Sequence, residues 1–269
     1  MAYHISKPSF QLSRFIKNYW ALENCLPDGE EHIQRIVPSG LLELIFYFND
    51  KPEPAARNRS INENTFITGQ LGEYYDLKIT GKMSLFSIIF QPHGLAAFLD
   101  LPLQELYNQN VPLQLIFKQE VNEVESQLFE AKSFTERIAI VENYFFKLLI
   151  SKGLRYNYER INNSIRKINQ SKGIVDINDL ALEACYSRKQ FERNFSSLVG
   201  TTPKQFLKII RFQHAIDKKS RDKSISLTEL TYQCGYYDQA HMINDFQKLS
   251  GLTPRQYFNE CEPYSDYFQ

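Results

Sequence analysis

The sequence contains few cysteines, and they do not stand at spacings that would bind a metal or form a disulfide framework. Its four cysteines are Cys25, Cys185, Cys234 and Cys261, with no Cys-x-x-Cys pair among them. Neither a zinc site nor a disulfide scaffold is therefore predicted. Reduced thiols are typical of a cytoplasmic protein, and a cytoplasmic location is expected.

Long apolar runs are also missing. No uninterrupted apolar segment reaches the length of a membrane span, and the start "MAYHISKPSF" lacks the basic and then apolar regions of a signal peptide. We therefore expect neither a membrane protein nor a secreted one.

Patterns that carry catalysis are absent as well. His4, His32 and His93 stand far apart without an H-x-H pair, and the sequence has no G-x-S-x-G elbow. We therefore predict no catalytic residue, no metal and no cofactor, and we do not expect an enzyme.

Net charge is absent from the whole chain but not from its parts. Lys plus Arg and Asp plus Glu both total 31, yet residues 1–154 carry a net charge of −4 and residues 155–258 carry +7. A local basic excess favours a polyanionic partner such as nucleic acid, although a solvated helical domain can carry as much.

The first half has the pattern of β-strands. Short β-branched or aromatic runs are bounded by turn residues: "HIQRIV", "LLELIFYF", "EYYDLKIT" and "LFSIIF". "GLAAFL" and "PLQELY" predict single helical turns, and residues 119–150 predict a helical pair broken near Ser133. This pair either covers one face of the sheet or mediates dimerisation.

The second half is predicted to be helical, because helix starts recur along it. Four pairs have capping-box spacing: Ser187 and Gln190, Thr202 and Gln205, Ser226 and Glu229, Thr253 and Gln256. Residues 177–195 and 227–246 each predict two short helices around a tight turn, which is helix-turn-helix geometry. A helix from Pro203 to about Lys218 joins these two units.

One helix-start motif occurs twice in the sequence. "SLVGTTPKQF" at 197–206 and "KLSGLTPRQY" at 248–257 place Gly, Thr, Pro and Gln 51 positions apart. Unpaired N–H groups at such starts can receive DNA phosphates, so Thr202, Lys204, Thr253 and Arg255 are candidate phosphate contacts. The alternative is that these residues only cap helices.

The second copy lies in "GYYDQAHMINDFQKLSGLTPRQY", which resembles the second-unit signature of the AraC/XylS family of transcriptional regulators. The resemblance covers residues 155–258 and both units. Cys185 departs from the family's usual Gly, and Thr231 from its usual Ala. The resemblance implies a sequence-specific regulator of transcription that binds double-stranded DNA, with RNA polymerase as a plausible partner.

The resemblance also assigns base contacts to positions two to seven of each recognition helix. These are Arg188, Lys189, Arg193, Gln239, Ala240, His241 and Asn244. Arg and Lys suit guanine, Gln and Asn suit adenine, and the Ala240 methyl suits thymine. We expect Glu192 to pair with Lys189 or Arg188. Because Asp238 and Asp245 make the second unit less basic, the first is expected to supply more affinity.

The β-rich half resembles the cupin-like sensor domain that often precedes this unit. Aromatic residues are candidates for the lining of an effector pocket: Trp20, Phe46, Phe48, Tyr74 and Phe90. A small-molecule effector and a homodimer are the implied partners. Two alternatives stay open for this half, an interaction module without a ligand and a metal-dependent cupin-like enzyme.

The predicted fold class is therefore α+β. Residues 1–154 form a β-rich sandwich or barrel with a helical pair, and residues 155–269 form an all-α domain of two helix-turn-helix units joined by a long helix.

Overall fold

The computed structural model describes residues 2–27, 29–56, 63–117, 120–152 and 157–260. The predicted domain boundary after residue 154 and Cys261 both lie outside these ranges. Within them, no helix has both the length and the apolar character needed to span a membrane.

In the described residues, the amino-terminal half forms two antiparallel sheets. The nine strands are β1 (Ala2–Ser6), β2 (Ile16–Cys25), β3 (Glu31–Ile36), β4 (Glu43–Tyr47), β5 (Glu53–Ala56), β6 (Thr65–Thr68), β7 (Tyr75–Thr80), β8 (Lys82–Phe90) and β9 (Asn110–Pro112). The larger sheet has the order β1-β2-β8-β4-β6-β9, and the smaller one has the order β3-β7-β5.

Successive residues of β4 lie on opposite faces of the larger sheet, as the period of a strand requires. Phe46 pairs with Phe86 of β8 and belongs to the core under the helices. Ile45 and Tyr47 belong to a separate buried cluster that includes Ile79 of the smaller sheet. The second face of the larger sheet therefore lies towards the smaller sheet.

Helices cover the first face. The two predicted single turns are 3-10 helices at Gly94–Ala97 and Leu103–Leu106, followed by α1 (Leu113–Phe117), α2 (Glu120–Glu130) and α3 (Phe134–Lys152). The break between α2 and α3 falls at the predicted Ser133, whose Oγ accepts from the Glu136 N–H at 3.2 Å. Phe145 of α3 packs edge-on against Phe90 at 5.6 Å, so α3 covers the sheet.

The rest of the described chain is helical, which confirms the α+β fold class. Its helices are α4 (Tyr158–Gln170), α5 (Ile177–Glu183), α6 (Arg188–Val199), α7 (Pro203–Arg221), α8 (Leu227–Gln233), α9 (Gln239–Ser250) and α10 (Pro254–Glu260). We call α5 and α6 the first unit, and α8 and α9 the second unit. The turn in the first unit places Cys185 at φ +55°, a left-handed conformation that favours the glycine usual in the family.

Three of the four predicted capping boxes are complete, at Ser187, Ser226 and Thr253. The box at Thr202 is half made. Its Oγ1 accepts from the Gln205 N–H at 3.2 Å, but the Gln205 side chain donates to the carbonyl of Gly72 at 3.4 Å. Contact with the amino-terminal half has replaced the local hydrogen bond.

The two units belong to different hydrophobic clusters. Phe191 and Phe195 of the first unit share one continuous core with the helix-covered face of the larger sheet. Met242 and Phe246 of the second unit form another cluster, which Val37 joins from the amino-terminal half. The first unit is therefore part of the main core, whereas the second unit is packed onto it.

Candidate nucleic-acid interface

The exposed start of α6 carries Arg188, which already has two partners. Its Nε lies 2.6 Å from Glu192 Oε1, and its Nη1 lies 2.7 Å from Asn178 Oδ1. The expected pairing of Glu192 is therefore made, with Arg188. A base contact by Arg188 would have to replace both interactions.

Lys189 and Arg193 lie four residues apart on the same exposed face of α6. Behind them, Phe191 and Phe195 are fully buried and hold the helix against the first unit's core. The two basic side chains thus project from a firmly packed helix towards solvent.

The start of α9 is organised in the same way. Asp238 accepts from the His241 N–H at 2.7 Å and so caps the helix. Gln239 donates to Thr228 Oγ1 at 2.7 Å. Ala240 and Asn244 are exposed and His241 is half-buried. Each assigned base-contact residue therefore lies on a surface that solvent reaches.

Asp245 has a different role from the one that its charge suggested. Its side chain is buried, and its Oδ1 lies 2.8 Å from Lys208 Nζ, on α7. Arg211, also on α7, lies 4.0 Å from the other carboxylate oxygen. Asp238 is therefore an exposed helix cap at the start of α9, whereas the Asp245 carboxylate is buried and joins α9 to α7.

The four candidate phosphate contacts lie at the two repeated helix starts. Thr202, Lys204 and Arg255 are exposed and Thr253 is half-buried. Both starts also adjoin the amino-terminal half, because Gln205 reaches Gly72 and Gly251 lies against Tyr74. Each of the two repeated helix starts therefore contacts the amino-terminal half and also has residues that solvent reaches.

The five candidate pocket aromatics lie in three places, because Phe48 packs against the same core as Phe46 and Phe90. Phe46 and Phe90 pack in the core under the helices, and Phe48 stacks beneath the Arg137 guanidinium at 3.8 Å. Tyr74 lies under Arg35 at 4.5 Å. Of the five, only Trp20 belongs to the cluster between the two sheets. The structure does not bring these five residues together.

A half-buried carboxyl group that the sequence analysis missed lies beside Trp20. Glu43 Oε1 accepts hydrogen bonds from Trp20 Nε1 at 2.8 Å and from the Ser87 hydroxyl. Burial raises the pKa of Glu43 to about 7, while these two hydrogen bonds act in the opposite direction. The alternation of β4 could have shown that Glu43 shares a face with Ile45 and Tyr47.

Unpaired polar atoms accompany Glu43 on this face. Asn18 pairs with Ile89 and Ile89 with Glu43, so the three residues form one row across the sheet. Asn18 is 1% exposed, and its Oδ1 has no hydrogen-bond partner in the described part of the chain. Such an atom loses hydration without compensation unless something else contacts it.

Metal ligands were not predicted, and the described ranges contain no group of three His, Cys, Asp or Glu side chains placed to hold a metal ion. His93 is buried against Tyr158 with the rings 4.7 Å apart. Burial lowers the pKa of His93 to about 4.

Comparison with known proteins identifies two family models. Residues 4–112 match a domain of unknown function, DUF6597, and residues 180–260 match a helix-turn-helix domain. An uncharacterized HTH-type transcriptional regulator of Haemophilus influenzae is 28% identical over 152 residues, which are 54% of this chain and 51% of that protein. The HTH-type transcriptional regulator ArgR of Pseudomonas aeruginosa is 25% identical over 109 residues, which are 38% of this chain and 33% of that protein.

The chain thus spans about half of one curated relative and a third of the other. Among solved structures, ToxT from Vibrio cholerae aligns over 90% of this chain and 98% of that chain, with 13% identity and a TM-score of 0.48. The two matching family models assign residues 4–112 to a DUF6597 domain and residues 180–260 to a helix-turn-helix domain.

Proposed function

We propose that this protein is a transcription regulator that binds double-stranded DNA through both helix-turn-helix units. The observation that carries this proposal is the exposed start of each recognition helix. At these starts, Lys189 and Arg193 project from α6, and Gln239, Ala240 and Asn244 project from α9. These polar starts are open to solvent, so a duplex could reach them.

Base contacts are proposed for the seven residues that the family resemblance assigns, and phosphate contacts for Thr202, Lys204, Thr253 and Arg255. Helix α7 has 19 residues and is about 28 Å long, near the 34 Å that separates successive major-groove segments on one side of a duplex. Two units held at such a distance suit two short recognition sequences in the DNA, which we call boxes, about one helical turn apart.

Arg193→Ala tests this function. We expect specific binding to weaken by about 1–3 kcal/mol, because a guanidinium that reads guanine is lost, with the effect confined to one box. Affinities for a selected duplex and for random duplex, measured side by side, give the result. Arg166→Ala is the matched control, since Arg166 is an exposed arginine on α4. Equal losses on both duplexes would remove Arg193 from the base contacts.

We further propose that a small molecule controls the protein by binding beside Glu43, on the face of the larger sheet that lies towards the smaller sheet. Glu43, partly accessible to solvent, and the unpaired Oδ1 of Asn18 support this, because they offer hydrogen-bond acceptors beside Trp20 and Tyr47. The effector would therefore present donor groups, as an amine or a polyol does.

A panel of small primary amines and polyols, screened by thermal unfolding, tests the effector proposal. We expect a compound that raises the melting temperature of the native protein but not of Glu43→Gln, because that variant lacks the carboxylate. Glu31→Gln, at an exposed glutamate of β3, is the control. Equal stabilisation of native protein and Glu43→Gln would contradict a site at Glu43.

Control through homodimerisation is the second candidate for the amino-terminal half. Phe146 and Ile150, four residues apart on α3, are 42% and 71% exposed. A molecular mass that rises with protein concentration and does not respond to any compound of the panel would favour it. Contact with RNA polymerase is proposed for either form of control.

A further inference from the structure

The two copies of the repeated glycine turn contact one segment of the amino-terminal half. Residues 69–74, "GQLGEY", connect β6 of the larger sheet to β7 of the smaller sheet. We call them the bridge segment. Gly200 ends α6 and Gly251 ends α9, both in the left-handed conformation. Each glycine therefore marks the carboxyl end of a recognition helix.

At the first unit, Gly200 packs against Gln70 of the bridge segment. A Cβ atom placed on Gly200 would lie 3.1 Å from Gln70 Cγ and 3.1 Å from the Leu103 carbonyl oxygen. Gln70 itself is fully buried and donates to the Gly40 carbonyl at 2.9 Å. The end of α6 thus rests on a side chain that is fixed within the amino-terminal half.

At the second unit, Gly251 packs against Tyr74, at the other end of the bridge segment. A Cβ atom on Gly251 would collide with the Tyr74 ring. The Arg35 guanidinium lies over the same ring, 4.5 Å from its centroid. The closeness of ring and turn requires that position 251 has no side chain.

Arg35 also contacts α9 directly. Its Nη1 donates to the Ser250 carbonyl at 3.1 Å, while its Nε and Nη2 donate to the two Asp76 oxygens at 2.7 and 2.8 Å. A cation at a helix carboxyl end interacts favourably with the unpaired carbonyls there. The bidentate pair with Asp76 holds the guanidinium in place.

The bridge segment is fixed at its middle as well. The Gly72 N–H donates to Asn108 Oδ1 at 2.7 Å, and the Asn108 N–H donates to the Gln70 carbonyl at 2.9 Å. The Gly72 carbonyl receives Gln205 from the first turn of α7. One short segment therefore touches the first unit, α7 and the second unit.

We propose that the bridge segment and Arg35 determine which spacing of two DNA boxes the protein accepts. This inference rests on the proposed function. Helix α7 joins the units at one place, and Ile174, just before the first unit, packs against Gly235 in the turn of the second unit. The contacts that the bridge segment and Arg35 make at the carboxyl end of each recognition helix restrict rotation of one unit relative to the other. Two-site binding then favours one spacing, because the second contact forms only where the geometry allows it.

The experiment compares native protein with Arg35→Gln and Tyr74→Leu in the full chain. The duplexes carry one box, two boxes at the spacing recovered from a random pool, or the same boxes with one or two base pairs added. Each added base pair moves a box about 3.4 Å along the duplex and about 34° around it. We expect one added base pair to weaken binding of native protein to the two-box duplex about tenfold. For the variants, the same change should weaken binding less than about threefold.

Lys78→Gln is the matched control, because it breaks an ion pair with Glu31 within the same small sheet. It should keep the native preference for spacing. Single-box binding within about twofold of native shows that the variant units are folded. An unchanged spacing preference, or equal losses on one-box and two-box duplexes, would overturn the inference. Native protein that binds one box but shows no preferred spacing would also overturn it, whereas native protein that binds no duplex specifically would instead refute the proposed function.

Discussion

At the scale of single residues, Glu43 makes stability depend on pH. Its pKa rises from an ordinary 4.5 to about 7 because of burial, so the folded protein holds this proton over a pH range in which the unfolded chain has lost it. The contribution of protonated Glu43 to the free energy of unfolding is present below pH 4.5 and is lost as the pH rises through about 7.

Glu43→Gln removes this titration. Relative to native protein, its free energy of unfolding should rise between pH 4.5 and about pH 8 by up to about 3 kcal/mol, since each unit of pKa shift is worth 1.36 kcal/mol. Urea unfolding across this range measures it. Glu31→Gln, at an exposed carboxyl, is the control. A difference between Glu43→Gln and native protein that does not change with pH would contradict the ionisation assigned to Glu43.

Residue types alone identified the helix starts. Ser187, Ser226 and Thr253 complete their capping boxes, because those hydrogen bonds join residues three positions apart. The charge of Asp245 was misleading, since only packing shows that Lys208 neutralises it. The aromatic pocket could not be assembled from composition, because the neighbours of an aromatic ring depend on which strands pair.

At the scale of elements, the start of α7 carries the exposed basic side chain of Lys204. Lys204→Ala should weaken binding to all duplexes equally and reduce the slope of log affinity against log salt by about 1, because one phosphate contact and its released counterion are lost. Affinities at four or five salt concentrations measure this. Lys248→Ala, at an exposed lysine in the last turn of α9, is the control. An unchanged slope would exclude Lys204 from the phosphate contacts.

Helical elements were predicted more completely than strands. Runs of β-branched and aromatic residues indicated β3, β4, β7 and β8, but β1, β2, β5, β6 and β9 were not named. Helix starts have a local chemical signature, whereas a short strand such as β9, which has three residues, exists because β6 pairs with it.

At the scale of the whole molecule, the two units should differ in stability. The first unit shares its core with the sheet, so opening it would expose the main core. The second unit forms its own cluster, joined to the amino-terminal half by Val37, Arg35 and Tyr74. We expect amides of α8 and α9 to exchange through a lower-energy opening than those of α5 and α6.

Hydrogen exchange at increasing denaturant measures both openings. Arg35→Gln should accelerate exchange in the second unit and leave the first unit unchanged, because Arg35 donates to the Ser250 carbonyl at the end of α9. Identical opening energies for the two units would show that the clusters unfold together.

The sequence by itself determined the helix starts, the two helix-turn-helix units, the joining helix and the separation of a β-rich half from a basic helical half. These features depend on interactions within a few residues or on the period of apolar side chains. Only the tertiary structure decided that Glu43 bonds to Trp20, that Asp245 pairs with α7, and that residues 69–74 touch both repeated glycine turns. Such contacts join positions far apart in the chain, and no local pattern contains them.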